Sequence, residues 1–287
     1  MKSSSIDGLT FLGDYANDDA QIKLERYLEM RMLLDRKSAK TPYRYQYHLP
    51  GNAGVVQFAE SGMDVKPIRM DFNPKRASDR DTRVMYKNII RHLKYIEVSR
   101  IDSAFDYAED LQGVRWLDAD GRKGQNIILG SSMDLQTVYV GTRNCDYMVV
   151  MYNKAQERRV KDKLGADLED GDWWRVEVRM QGKKSCAKFM HDDSFNPFDK
   201  ITPHSELPLG LSSLKPTDQA VLLGLLSPHG GAILSKMSRP TRAKYKKMIA
   251  EHSMPVSINP RADFEAQKKD LREQVSYWLS HQVATVF

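Results

Sequence analysis

"VSRIDSAFDY", Val98 to Tyr107, sets how the rest of the chain is read. Successive side chains of an extended strand point to opposite faces, so Asp102, Ala104 and Asp106 share one face. The same alternation recurs elsewhere. Arg69, Asp71 and Asn73 share a face in "RMDFN"; Arg175, Glu177 and Arg179 do so in "RVEVRM". Charge in the middle of a strand is costly to bury unless it is paired or bound to metal. Several strands with one polar face therefore describe a sheet with a solvated, working surface. The alternative is a set of Arg–Asp pairs on an exposed face, and the residues alone leave both open.

Working outward, the N-terminal two-thirds reads mainly as strands with helices between them. "DGLTFLG" (7–13), "YRYQYHL" (43–49), "GVVQFAE" (54–60) and "PIRMDFN" (67–73) are expected strands. "QNIILG", "QTVYVGTR" with "YMVVMYN", and "WWRVEVRM" follow. "DAQIKLERYLEMRMLLD" (19–35) and "DRDTRVMYKNIIRHLKYI" (79–96) have helical spacing. Hairpin-like links and a single sheet face toward solvent account for the alternation. From about Ser185 the texture changes to a loop-rich connector, "HDDSFNPFDKITPHSELPLG", and then to three helices over 217–227, 239–252 and 262–282. The expected architecture is α+β: a core over residues 1–200 and a smaller helical part over 201–287.

Composition narrows the function. Hydrophobic residues make up 41% and charged residues 29%, which excludes a disordered chain. No apolar run is long enough to span a bilayer, and the start lacks a signal-peptide core, so a cytoplasmic protein without a membrane partner is expected. Cys145 and Cys186 are too few for a disulfide framework or a four-ligand zinc site. The seven histidines form no common zinc spacing. The net charge of +6 points weakly to a polyanionic partner. Its distribution says more: Arg239, Arg242, Lys244, Lys246 and Lys247, with Tyr245 among them, lie in a stretch without acids. Such a segment can carry counterion-release affinity for DNA, or be a solvated helix face.

The acids suggest a hard cation, Mg²⁺ or Mn²⁺. Asp102 and Asp106 are four strand residues apart, about 13 Å, too far to share one small ion. One acid from each of several strands fits better, which selects Asp102 with Glu177 and Asp71 as ligands and leaves Asp106, Glu157 and Arg100 to position them. In "MVVMYNKAQERR", Met148 to Arg159, an apolar strand breaks at Tyr152 into charge. Met148, Val150, Tyr152 and Lys154 are expected on one face. By itself such a tyrosine is a packing residue as readily as a nucleophile.

"RMDFNP", "SRIDSAFDY", "VYVGTRNCDYMVVMYNKAQERR" and "WWRVEVRM", in this order, resemble the Rep_trans replication initiators of rolling-circle plasmids from Gram-positive bacteria. Relaxases of integrative conjugative elements share that core. The resemblance implies a mostly antiparallel two-sheet nuclease fold, related to the histidine-rich single-strand endonucleases but with carboxylates in place of the metal histidines. It implies Tyr152 as a DNA-cleaving nucleophile that leaves a 5′-phosphotyrosine and a free 3′-hydroxyl, with a divalent cation as Lewis acid. Lys154 would stabilise charge and Arg175 would hold a phosphate. The basic segment around Thr241–Ile249 would recognise the origin, Tyr245 stacking on exposed bases. Plasmid origin DNA, a superfamily-one helicase and a second copy of the chain are the implied partners. Val150 departs from the pattern, standing where an arginine is expected two residues before the tyrosine. A conjugative relaxase and a non-enzymatic DNA-binding regulator are the competing readings.

Overall fold

The computed structural model describes residues 1–31, 34–36, 42–60, 62–118, 123–131, 134–142, 145–161, 172–206, 208–227 and 230–280. Along the chain run β1 (Ser3–Tyr15), α1 (Asp18–Arg31), β2 (Leu34–Arg36), β3 (Tyr43–His48), β4 (Gly54–Ala59), β5 (Ile68–Phe72), α2 (Asp79–Asn88) and β6 (Leu93–Tyr107). Then come β7 (Val114–Asp118), β8 (Gln125–Leu129), β9 (Leu135–Val140), β10 (Tyr147–Asn153), α3 (Lys154–Lys161), β11 (Trp174–Gln181) and α4 (Lys183–His191). The last are β12 (Ile201–Ser205), α5 (Pro216–Leu226), α6 (Gly230–Lys236), α7 (Arg239–His252) and α8 (Pro260–Leu279). This is the expected α+β class, and the pairings β1–β5, β3–β4, β4–β5, β8–β9, β9–β10 and β7–β12 are all antiparallel. No helix among the described residues is long and apolar enough to cross a membrane.

Two compact units share the chain. One comprises Met1–Ser4, Ala104–Arg179 and Ser194–Gln267, here the Tyr152 unit; the other comprises Ser5–Ser103, Met180–Asp193 and Lys268–Phe287, here the Asp102 unit. The strand order in the Asp102 unit is β2-β3-β4-β5-β1-β6. Register explains its core: Leu9 pairs with Phe72, Phe11 with Met70 and Val56 with Met70, and all five are buried. The opposite face is polar, with Gln46 opposite Gln57 and Gln57 opposite Arg69. Gly54 is required where β4 meets β5, because a Cβ there would lie 2.1 Å from the Asp71 carbonyl oxygen.

Helix α2 begins in a capping box, Ser78 accepting from the Asp81 N–H and Asp81 accepting from the Ser78 N–H. It ends at Asn88, not at Ile96 as the spacing suggested. Ile89 and Ile90 are adjacent β-branched residues that lose rotamer freedom in a helix, and the chain passes through one tight turn into β6 at Leu93. In the Tyr152 unit the order is β11-β10-β9-β8, with β7 and β12 forming a separate ribbon. Strand β12 lies inside the stretch read as a loop-rich connector. Helices α5, α6 and α7 close over a core of Leu222, Leu225, Leu226, Leu234, Met248 and Ile249, with Leu117 of β7. The final expected helix extends to Gln282, and residues 281 and 282 lie outside the described residues.

Candidate active site around Tyr152

Met148, Val149, Val150 and Met151 of β10 are buried, so the strand leading to Tyr152 is held on both faces. The chain then turns into α3 at once. Asn153 caps that helix through its side-chain oxygen, which accepts from the Gln156 N–H at 2.9 Å. The N–H groups of Lys154 and Ala155 both donate to the Trp173 carbonyl, at 2.8 and 3.2 Å. Lys154 therefore opens a helix and does not continue the strand face. Tyr152 sits at the last rigid position before the turn.

The phenol O–H of Tyr152 donates to Glu177 Oε1 at 2.7 Å. Arg179 donates to Glu177 Oε2 from Nε at 2.9 Å and from a terminal nitrogen at 2.7 Å. Lys154 Nζ lies 3.4 Å from the phenol oxygen and 2.6 Å from Glu157 Oε2. Burial first, then the Glu177 charge and its hydrogen bond, push the phenol well above the ordinary tyrosine range; the nearby Arg175 charge opposes this and Glu157 adds to it. Tyr152 is thus fully protonated at neutral pH, with its proton aimed at a carboxylate. A hydroxyl hydrogen-bonded to a carboxylate, with Lys154 near the one and Arg179 on the other, is an arrangement that can activate an oxygen as a nucleophile. The group opens on a cleft of about 470 Å³.

Arg175 serves a different purpose from the phosphate contact expected of it. It is buried and forms a two-pronged pair with Asp106, Nε to Oδ1 at 2.7 Å and the terminal nitrogen to Oδ2 at 2.8 Å. Ser3 donates to the same carboxylate at 3.0 Å. A phosphate contact would require breaking this buried pair, so both Arg175 and Asp106 are structural supports beneath the Tyr152 site.

In the Asp102 unit the polar faces resolve into ion pairs, the alternative the residues had left open. Arg100 donates to Asp102 from Nε at 2.9 Å and from its terminal nitrogen to the second oxygen. Arg69 donates to Asp71 at 2.7 Å, and Arg100 lies 4.0 Å from Asp71. The cause is local: in Arg-x-Asp the two side chains point to the same face of one strand. Gly8 makes room for the buried Asp102, since a Cβ there would lie 2.6 Å from its carboxylate oxygen. Among the described residues no three histidine, cysteine or acidic side chains are placed together to hold a metal ion.

The basic segment is α7. Arg239, Lys244 and Lys247 are exposed, Lys244 being paired with Asp218 at 2.7 Å and Lys247 with Glu251 at 3.7 Å. Lys246 is half-buried. Arg242 donates to the carbonyls of Ser235 and Met237 and so finishes α6. Tyr245 is 7% exposed, belongs to the helical core and donates to Asp218 at 2.9 Å. It offers no face to a base, which corrects the expected stacking role. Its spacing with Met248 and Ile249 is that of a buried helix stripe, a signal present in the sequence. Sequence reasoning missed Arg179 as the partner of Glu177, and Tyr139, which β9 places beside the site.

No protein-family model matches the chain. It is 25% identical over 281 residues to a replication initiation protein of Staphylococcus aureus, covering 96% of this chain and 84% of that protein. A second replication initiation protein from the same organism is 28% identical over 217 residues, covering 75% of this chain and 65% of its own length. Among solved structures, the rolling circle replication initiator protein from Geobacillus stearothermophilus is similar with a TM-score of 0.42 and 16% identity, covering 79% of this chain and 97% of that one.

Proposed function

We propose that this protein initiates rolling-circle replication of a plasmid by nicking one strand of its origin through Tyr152. The observation that carries the reading is the 2.7 Å hydrogen bond from the Tyr152 phenol to Glu177, with Lys154 3.4 Å from the same oxygen, in an open cleft. Likeness to replication initiation proteins over almost the whole chain supports the biological setting.

In the proposed step the phenol oxygen attacks the scissile phosphorus and its proton passes to Glu177. The bond from phosphorus to the 3′-oxygen breaks. That oxygen takes a proton from water and becomes the free 3′-hydroxyl that primes synthesis. The 5′-phosphate stays on Tyr152, so the phosphodiester energy is conserved for rejoining. Lys154 holds positive charge where the phenol oxygen gains negative charge.

Glu177 supplies hard carboxylate oxygens of the kind a Mg²⁺ or Mn²⁺ ion accepts alongside water and phosphate, and it would be the ligand within the cleft. Asp102 and Asp71, the other expected ligands, belong to the Asp102 unit, where each carries an arginine partner. When bound, the ion supplies Lewis-acid charge to the phosphate. The exposed cations of α7 bind the origin duplex, a helicase takes over the nicked strand, and a second copy of the chain supplies a second tyrosine for termination.

The test is incubation with a single-stranded origin oligonucleotide and Mn²⁺, followed by mass analysis of peptides. The Tyr152 peptide should carry the 5′-phosphorylated strand. Tyr152→Phe should lose nicking of supercoiled origin DNA and keep origin binding. An adduct on another residue, or binding with no adduct under any condition, rejects the reading in favour of another nucleophile or a non-enzymatic binder.

A further inference from the structure

Beside the Tyr152–Glu177 pair, the cleft has a second wall that the nicking chemistry does not use. Antiparallel register sets Thr137 of β9 opposite Tyr152 and Tyr139 opposite Val150. Directly opposite side chains share a face, so Tyr139 stands one row, about 7 Å, along the sheet from the nucleophile. Tyr139, Val150 and Val160 are apolar members of the cleft lining, and Thr137 and Gln156 are polar ones. Val150 is buried as a floor, whereas Val160 is 75% exposed on α3.

Tyr139 differs from three other tyrosines of this unit whose hydroxyls each donate to a carboxylate. Tyr107 donates to Asp263, Tyr152 to Glu177 and Tyr245 to Asp218. A half-buried tyrosine normally finds a partner for its hydroxyl. Of the described residues, none hydrogen-bonds to the Tyr139 hydroxyl or stacks on its ring. Arg179, the cation in the cleft lining, is paired with Glu177, and Lys154 beside the phenol is paired with Glu157. This wall therefore suits an uncharged, flat group better than a phosphate. Its volume is within the range of clefts that enclose small ligands.

We propose that the wall formed by Tyr139, Val150 and Val160 receives one unstacked nucleobase adjacent to the scissile phosphate, with Tyr139 as its stacking surface and Gln156 and Thr137 at its hydrogen-bonding edge. This deepens the nicking reading and rests on it. The base fixes the strand so that the phosphate next to it meets the Tyr152 oxygen. Tyr139 is thus a positioning residue for the strand that is cut. Base–aromatic stacking tolerates any base, so sequence preference at that position comes from the two polar side chains.

The test uses single-stranded origin oligonucleotides with 2-aminopurine moved one position at a time across the cleavage point. One position should be quenched on binding. Tyr139→Leu should abolish that quench and weaken single-strand binding roughly tenfold, the effect of losing one base–aromatic stack. Tyr139→Phe should restore the quench. Val160→Asp, at an exposed position that keeps the fold, should weaken single-strand binding while duplex origin binding through α7 stays constant. Thermal unfolding confirms that each variant is folded. If the Tyr152 adduct forms yet no position is quenched, or Tyr139→Leu keeps the quench, this inference is wrong and the nicking reading stands. If no adduct forms at Tyr152, the nicking reading fails and this one with it.

Discussion

At the scale of single residues, the informative atom is the Tyr152 proton. A free phenol is a poor nucleophile at neutral pH. Burial and Glu177 make this one harder still to ionise, so charge cannot wait on the oxygen before attack. In the proposed step the proton leaves as the oxygen attacks, and Glu177 at 2.7 Å is the acceptor within reach. Glu177→Gln removes a negative neighbour and should move Tyr152 ionisation down in pH, toward the tyrosine range but not into it, because burial remains. Phenolate absorbance, taken as the difference from Tyr152→Phe, measures this. The same variant should nick at least about 10²-fold more slowly, the usual worth of a positioned base. Wild-type nicking in Glu177→Gln would assign the proton elsewhere.

At the scale of elements, the Tyr152 site rests on the pair joining the end of β6 to β11. Burial alone would raise the Asp106 carboxyl; hydrogen bonds and charge from Arg175, with help from Ser3, outweigh it and hold the group below its ordinary range. A carboxyl lowered on folding stabilises the protein above its unfolded pKa, and that contribution fades as pH falls through the folded value. Asp106→Asn leaves Arg175 buried without its counter-charge, which costs about 3–5 kcal/mol. Thermal unfolding at pH 7 should show Asp106→Asn lower in Tm by on the order of 10 °C. The gap should narrow below about pH 4. A gap that is constant from pH 7 to pH 3 would show that the pair is not what holds these strands.

At the scale of the whole molecule, a net charge of +6 is modest, and α7 concentrates the cations proposed to meet DNA. Each phosphate neutralised contributes about 0.9 to the slope of log affinity against log salt. Replacing Lys244, Lys246 and Lys247 with alanine should lower that slope for origin duplex by roughly 2 to 3. Filter binding at several salt concentrations measures it, and an unchanged slope would move the duplex contact off α7.

Much of this was legible in the chain, because strand alternation and helical spacing are local properties. Alternation in "RMDFN", "SRIDSAFDY" and "RVEVRM" announced strands with one polar face, and the Arg-x-Asp spacing already contained the ion pairs that form there. The break at Tyr152 announced a rigid end beside charge. Tertiary structure alone decided which residues meet across strands. Glu177 reaches Tyr152, Arg175 turns to Asp106 and Tyr139 stands beside Val150 because of pairing register and strand order, and a shift of one residue would reverse every one of those faces. It also decided which core Tyr245 joins, since a helix stripe acquires its partners only when the packing is in place.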